Sequence, residues 1–132
     1  MARDRQFVVD RAPEDAAPQR VASFGSAAAG HAALQKGDLY GAEDLLERAV
    51  ALDPGNPFSY FYLAEVRYRQ GEAKQALVLL DQSELRFHGH PYWLGEVYAL
   101  KALCWEKLGS AEKSKAAYEK ALEYNPSNRE TR

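Results

Sequence analysis

Turned by about 100° per residue, the stretch from Pro57 to Gln70 places Tyr60, Leu63, Ala64 and Arg67 on one arc. That arc predicts an amphipathic helix centred on the small Ala64. Arg67 runs its alkyl stem over the stripe and keeps its charge in water. Phe61 and Tyr68 fall off the arc, and Phe58, Tyr62, Glu65 and Arg69 lie further round. One buried stripe accounts for Tyr60 and leaves Phe58, Phe61, Tyr62 and Tyr68 over. Asn56 before Pro57 is a good N-cap and first-turn pair, and His90–Pro91 has the same form with a poorer cap. Gly37, Gly71 and Gly109 each stop one helix before the next. Ala111–Tyr124 sets Ala117, Tyr118, Ala121 and Leu122 against Lys113, Lys115, Glu119 and Lys120. Ala22–Leu34 is a helix of small residues, whose glycines each cost about 1 kcal/mol of helix propensity.

These elements recur. Gly30, Gly37, Ala42, Leu46 and Ala49 return as Ala64, Gly71, Ala76, Leu80 and Ser83, always 34 residues on. Ala64, Gly71, Leu80 and Ser83 return as Ala102, Gly109, Tyr118 and Ala121, always 38 residues on. Pro54 and Pro126 close the first and third copies, and His88 holds that place in the second. The four extra residues lie between His88 and Ala102 and amount to about one helical turn. They either lengthen the helix Pro91–Leu108 at its N-terminal end or enlarge the loop through Phe87–His90. The expected organisation is an arm over 1–22, repeats over 23–56, 57–94 (with the extra turn or loop) and 95–128, and a tail over 129–132. Phe7-Val8-Val9 is the only apolar cluster among the first twenty residues. Such a segment buries too little to offset its ordering entropy, so a flexible arm is expected, with Phe7–Val9 able to order as a strand or an anchor on a partner.

This period and its small residues resemble the tetratricopeptide repeat, a two-helix unit of 34 residues, over roughly Ser23–Asn128. The family's small eighth, twentieth and twenty-seventh positions map onto Gly30, Ala42 and Ala49, then Ala64, Ala76 and Ser83, then Ala102, Ser114 and Ala121. Its bulky twenty-fourth position is Leu46, Leu80 and Tyr118. Ser26 and Ala33 depart from the large residues of positions four and eleven, which leaves the first repeat the most weakly packed. The resemblance implies an all-α superhelix of three repeats whose first helices line a concave face. On that face it places His31 and Leu34 beside Phe24 and Ala27; Phe58, Phe61, Tyr62 and Tyr68; and Leu103 and Glu106 beside Tyr92, Glu96 and Ala99. Glu65, Arg69, Glu106 and Lys107 edge the groove. Exposed apolar and aromatic surface of this kind marks interaction sites. Relatives that clamp acidic C-termini need Lys, Asn and Arg where this chain has Ala27, His31, Tyr62, Glu96 and Leu100, so no such clamp is expected.

The expected function is a non-enzymatic scaffold, adaptor or assembly subunit that binds a hydrophobic helix or extended peptide in the groove. A dedicated chaperone for an aggregation-prone bacterial filament or secretion subunit, and a permanent accessory subunit of a larger enzyme or membrane complex, are the alternatives. Both ends of the array invite an outside surface, since Ala117, Tyr118, Ala121 and Leu122 need cover: another copy of the chain, a larger complex or the arm folding back, with self-association or a larger complex the expectation. The net charge of −2 on 132 residues argues against a nucleic-acid partner, and Arg67-Tyr68-Arg69 reads as a solvated face. The single Cys104 supports no disulfide framework. No apolar run has membrane-spanning length. A cytoplasmic location is the default, with export or an envelope location following from any signal removed ahead of residue 1. Gly25–Ala32 has the spacing of a phosphate loop but His31-Ala32 in place of Lys-Ser/Thr. His88 and His90 form too weak a pair for a metal site, Glu43–Asp44 reads as solubility, and no catalytic set or cofactor is expected.

Overall fold

The computed structural model describes residues 7–127, which form six helices. They are α1 (Pro18–Gln35), α2 (Leu39–Leu52), α3 (Pro57–Arg69), α4 (Ala73–Arg86), α5 (Pro91–Lys107) and α6 (Ala111–Tyr124). No strand is present among the described residues, and no helix among them is long and apolar enough to cross a membrane. Each hairpin turns on a glycine in left-handed conformation: Gly37, Gly71 and Gly109 have φ of 82°, 81° and 83°. Asp38 and Ser110 cap the following helices through the amide N–H groups of Gly41 and Lys113. Helices pack chiefly as the pairs α1–α2, α3–α4 and α5–α6, and consecutive pairs stack in chain order.

Close approach within the first pair depends on Gly30. A Cβ there would sit 2.7 Å from Cγ of Leu46, a residue with no exposed surface. The small eighth position and the bulky twenty-fourth are thus one contact in the first pair, and their counterparts Ala64 and Leu80 are fully buried in the second. Polar groups complete the junction to the next pair. Ser23 Oγ donates to the Ala49 carbonyl at 2.7 Å and accepts from Asn56 Nδ2 at 3.1 Å. The Asn56 side-chain Oδ1 accepts from the Phe58 N–H at 3.0 Å, which starts α3. Arg67 is not the solvated cation expected of it: it reaches back to Glu43 at 2.7 Å and Glu47 at 3.6 Å on α2. Lys101 of α5 does the same with Asp81 and Glu84 of α4.

The extra residues of the third repeat lie in a helix, for α5 has 17 residues against 13 in α3. Helix α1 starts at Pro18, ahead of the expected boundary at residue 23, and the arm from Phe7 to Ala17 lies against the helices without regular structure of its own. The arm is therefore less free than its composition suggests. Val9 is buried and Phe7 packs on the core, because the helices supply the apolar partners that the segment lacks. Residues 1–6 and the tail 129–132 lie outside the described residues. At the other end, Ala117 and Ala121 are buried inside the last hairpin, and Tyr118 and Leu122 are half-buried. The last helix leaves less apolar surface than expected.

Two glycines of α1 should respond oppositely to one substitution. Gly30→Ala must push Leu46 aside, and overpacking of this kind costs about 1–3 kcal/mol, more than the roughly 1 kcal/mol gained in helix propensity. Gly25→Ala meets nothing within 4 Å and should stabilise by about 0.5–1 kcal/mol. Urea denaturation of both variants checks the pair of signs.

Candidate concave binding face

Helices α1, α3 and α5 line one side of the array, and α3 is covered almost all round. Phe58, Tyr60, Phe61, Tyr62, Leu63, Ala64 and Val66 are all buried, where one stripe was expected. The helix meets α4 of its own pair, α1 and α2 before it, α5 after it, and the arm over its start. Phe58 is the centre of an aromatic cluster. Its ring lies 4.9 Å from Phe7, 5.7 Å from Phe24, 5.1 Å from Phe87 and 5.0 Å from Trp93.

The expected groove residues therefore divide. Phe58 and Leu34, at 0% and 1% exposure, are core and cannot touch a partner while the arm and helices stay in place. Both were assigned from helical register alone, which ignores what neighbouring pairs cover. Phe61 and Tyr62 are mostly buried, yet each presents an edge to a hollow. Tyr62 stacks on His31 at 4.2 Å and 18°, and both line a hollow of about 560 Å³ with Val8, Val9, Glu96 and Trp93. Phe61, Glu65, Tyr68, Arg69 and Leu103 line a second hollow of about 400 Å³ with Glu96, Ala99 and Leu100. Glu106 opens instead onto a separate hollow with Gly109, Ser114 and Tyr118. The 400 Å³ trough lies where α3 and α5 run beside each other with few backbone approaches, so side chains rather than helix backbones form its floor.

Charge in the trough is unequally compensated. Arg69 donates to Glu65 at 2.7 Å and to the Leu34 carbonyl at 3.1 Å. It thus neutralises Glu65 while satisfying a terminal acceptor of α1. Lys107 lies 6.0 Å from the Tyr68 ring centre. Glu96 borders both hollows, and burial raises its carboxyl above the ordinary value of 4.5. Trp93, which lies in the inserted turn and lines the first hollow, is a functional candidate absent from the expected groove. Glu96 and Leu100, expected among the groove positions, line the trough, and Phe87 is core at 0% exposure.

A family model described as tetratricopeptide repeat matches residues 33–104, and a second with the same description matches 95–128. Among solved structures, the chain is similar to the N-terminal domain of stress-induced protein-1 (STI-1) from C. elegans. The two are 14% identical over 83% of this chain and 89% of that one, with a TM-score of 0.74. It is also similar to the globular C-terminal domain of P. aeruginosa LpoP, at 29% identity over 76% of this chain and 94% of that one, TM-score 0.71. A third is the first repeat domain of Spaghetti (RPAP3) bound to the HSP90 peptide SRMEEVD, at 20% identity over 80% of both chains, TM-score 0.71. No curated protein matches the sequence.

The raised Glu96 carboxyl makes the folded state bind a proton more readily than the unfolded state. Stability from this group is then full below pH 4.5 and lost as pH rises through the folded value. Glu96→Gln should raise the melting temperature at pH 7, with the difference from wild type closing below pH 4.5. Thermal melts of both proteins across pH 3–8 (roughly the span of the carboxylate titration) measure it.

Proposed function

This chain belongs to the tetratricopeptide repeat family, and from that premise we propose that it is a non-enzymatic protein-binding module. Its ligand is an apolar segment carrying a basic side chain, held in the trough between α3 and α5. The observation that carries this reading is the trough itself, where Phe61, Tyr68, Leu100 and Leu103 surround Glu96. Leu103 is 41% exposed, and Tyr68 is half-exposed beside it. Apolar side chains of a partner displace water from these surfaces. A Lys or Arg among them reaches Glu96, whose charge lacks an ion pair among the described residues and gains most from a cation in a partly buried site.

The same charge argues against a peptide of the kind that the first repeat domain of Spaghetti binds. The peptide SRMEEVD bound there carries three carboxylate side chains against one Arg. Here Glu96 would repel it, and Ala27, His31, Tyr62 and Leu100 offer no cluster of cationic donors. The module is accordingly an adaptor or assembly subunit for a basic, apolar partner segment, in preference to a receptor for acidic C-termini.

Selection of a displayed random-peptide library on the full chain tests this. Enriched peptides should combine aromatic or aliphatic residues with Lys or Arg, and SRMEEVD should not bind. Leu103→Asp should weaken the selected peptides at least tenfold, roughly 1.4 kcal/mol, with the melting temperature little changed. Tyr68→Ala should cost a similar factor. Peptides that bind Leu103→Asp as well as wild type would remove the trough from the reading.

A further inference from the structure

The N-terminal end of the concave face already holds an irregular segment, the chain's own arm, which turns at Val9–Asp10 through the Arg11 N–H to Val8 carbonyl bond. Phe7 lies against Phe58, stacks on the His90 ring at 4.2 Å and approaches Phe24 and Phe87 at 6.1 Å each. Trp93 Nε1–H donates to the Phe7 carbonyl at 2.5 Å. Val9 is 4% exposed, while Val8 between them is half-buried. We propose that this seat is a recognition site for a non-helical segment with an aromatic residue and an aliphatic one two positions on. The arm fills it in cis, and the matching segment of a partner protein displaces the arm.

The arm is built as an occupant rather than as part of the helical framework. Ala17 joins the arm to α1 as its N-cap and accepts from Arg20 and Val21; over Phe7–Ala16 the hydrogen bond described between the arm's backbone and the helices is the one from Trp93. Its other backbone bonds, from Arg11 to Val8 and from Ala16 to Pro13, are internal. Affinity then resides in the side chains of Phe7 and Val9, which pack into the helix cluster while Val8 between them stays half-buried. The connection to α1 is loose, since Asp10, Arg11, Pro13, Glu14, Asp15 and Ala17 are all exposed. Release of the arm would uncover the Phe58 cluster, an apolar patch of the kind that marks interaction surfaces.

Continuity of the face favours a partner over a second copy. The hollow beside the seat is lined by Val8, Val9, Asp10, His31, Tyr62 and Glu96, and Glu96 also borders the trough. The arm walls that hollow with Val8, Val9 and Asp10 and then leaves the face, so it contributes nothing to the trough beyond. A partner segment that continues past the seat gains the trough as well. A second copy's arm would repeat the same contacts and forgo the advantage of tethering, which amounts to an effective concentration in the millimolar range.

The proposal rests on the concave-face reading, but its probe is confined to the seat. The probe is a fluorescein-labelled peptide of residues 4–13 (DRQFVVDRAP), followed by anisotropy against full-length proteins. The double variant Phe7→Ala/Val9→Ala, folded by circular dichroism, should bind it at least tenfold more tightly than wild type, in which the tethered arm competes. A peptide carrying Phe7→Ala should lose at least tenfold. Leu103→Asp, placed in both the wild-type and the double-variant backgrounds, should leave these values unchanged, so that failure of the trough and failure of the seat are told apart. Hydrogen exchange on the wild-type chain should show the amides of Val8–Asp10 exchanging well ahead of those in α3. A folded double variant that ignores millimolar peptide would overturn the proposal. So would a double variant that fails to fold, or arm amides as protected as α3, since either makes the arm part of the cooperative core. A wild-type dimer that disappears in Phe7→Ala would overturn it in favour of a second copy as the occupant.

Discussion

Phe58 has no surface left because rings from four other parts of the chain converge on it: Phe7 of the arm, Phe24 of α1, Phe87 after α4 and Trp93 of α5. Aromatic contacts of this geometry each contribute about 0.5–1.5 kcal/mol beyond the area they bury. Their larger effect here is topological. Each two-helix unit of a repeat array buries only part of its apolar surface and depends on its neighbours for the remainder. The cluster at Phe58 is where three units and the arm meet, so it couples their stability and fixes the start of α3 and of α5.

The open part of the face follows from what that cluster does not fill. Helices α3 and α5 stay in register near Phe58 and Trp93, while toward their C-terminal ends they leave the trough of Phe61, Tyr68, Leu100 and Leu103. Arg69 shows how closely structural and binding roles sit together there. It holds Glu65 and the end of α1 at the same time, which leaves Glu96 as the carboxylate whose charge the trough itself does not compensate. The proposed preference for a basic, apolar ligand thus rests on the way the fold uses its own cations. Arg67 and Lys101 are likewise spent on contacts between consecutive hairpins.

Much of this was legible in the sequence for a physical reason. Helix pairing requires small residues at fixed offsets from a bulky partner, and that requirement is local to about 34 residues, so it prints as a period. Gly30 against Leu46 is such a pair, and Ala64 and Leu80 are its counterparts in the second unit. The caps at Asn56 and the left-handed turns at Gly37, Gly71 and Gly109 are equally local, because backbone geometry over a few residues selects them. The added turn of α5 was one of two open readings, since four residues make either one turn of helix or a longer loop with the same spacing.

The sequence by itself determined the helices, their pairing, the three-unit order and the general side on which aromatic residues gather. Only the tertiary structure decided which of those residues face water. Phe58 and Leu34 are sealed all the same, because exposure depends on distant neighbours: the rings around Phe58 come from Phe7, Phe24, Phe87 and Trp93, about one repeat or more away along the chain. The arm is the clearest case. Phe7 and Val9 are too few to order a segment by their own burial, and nothing within the arm indicates that Phe24, Phe58, Phe87 and Trp93 converge into a seat for them.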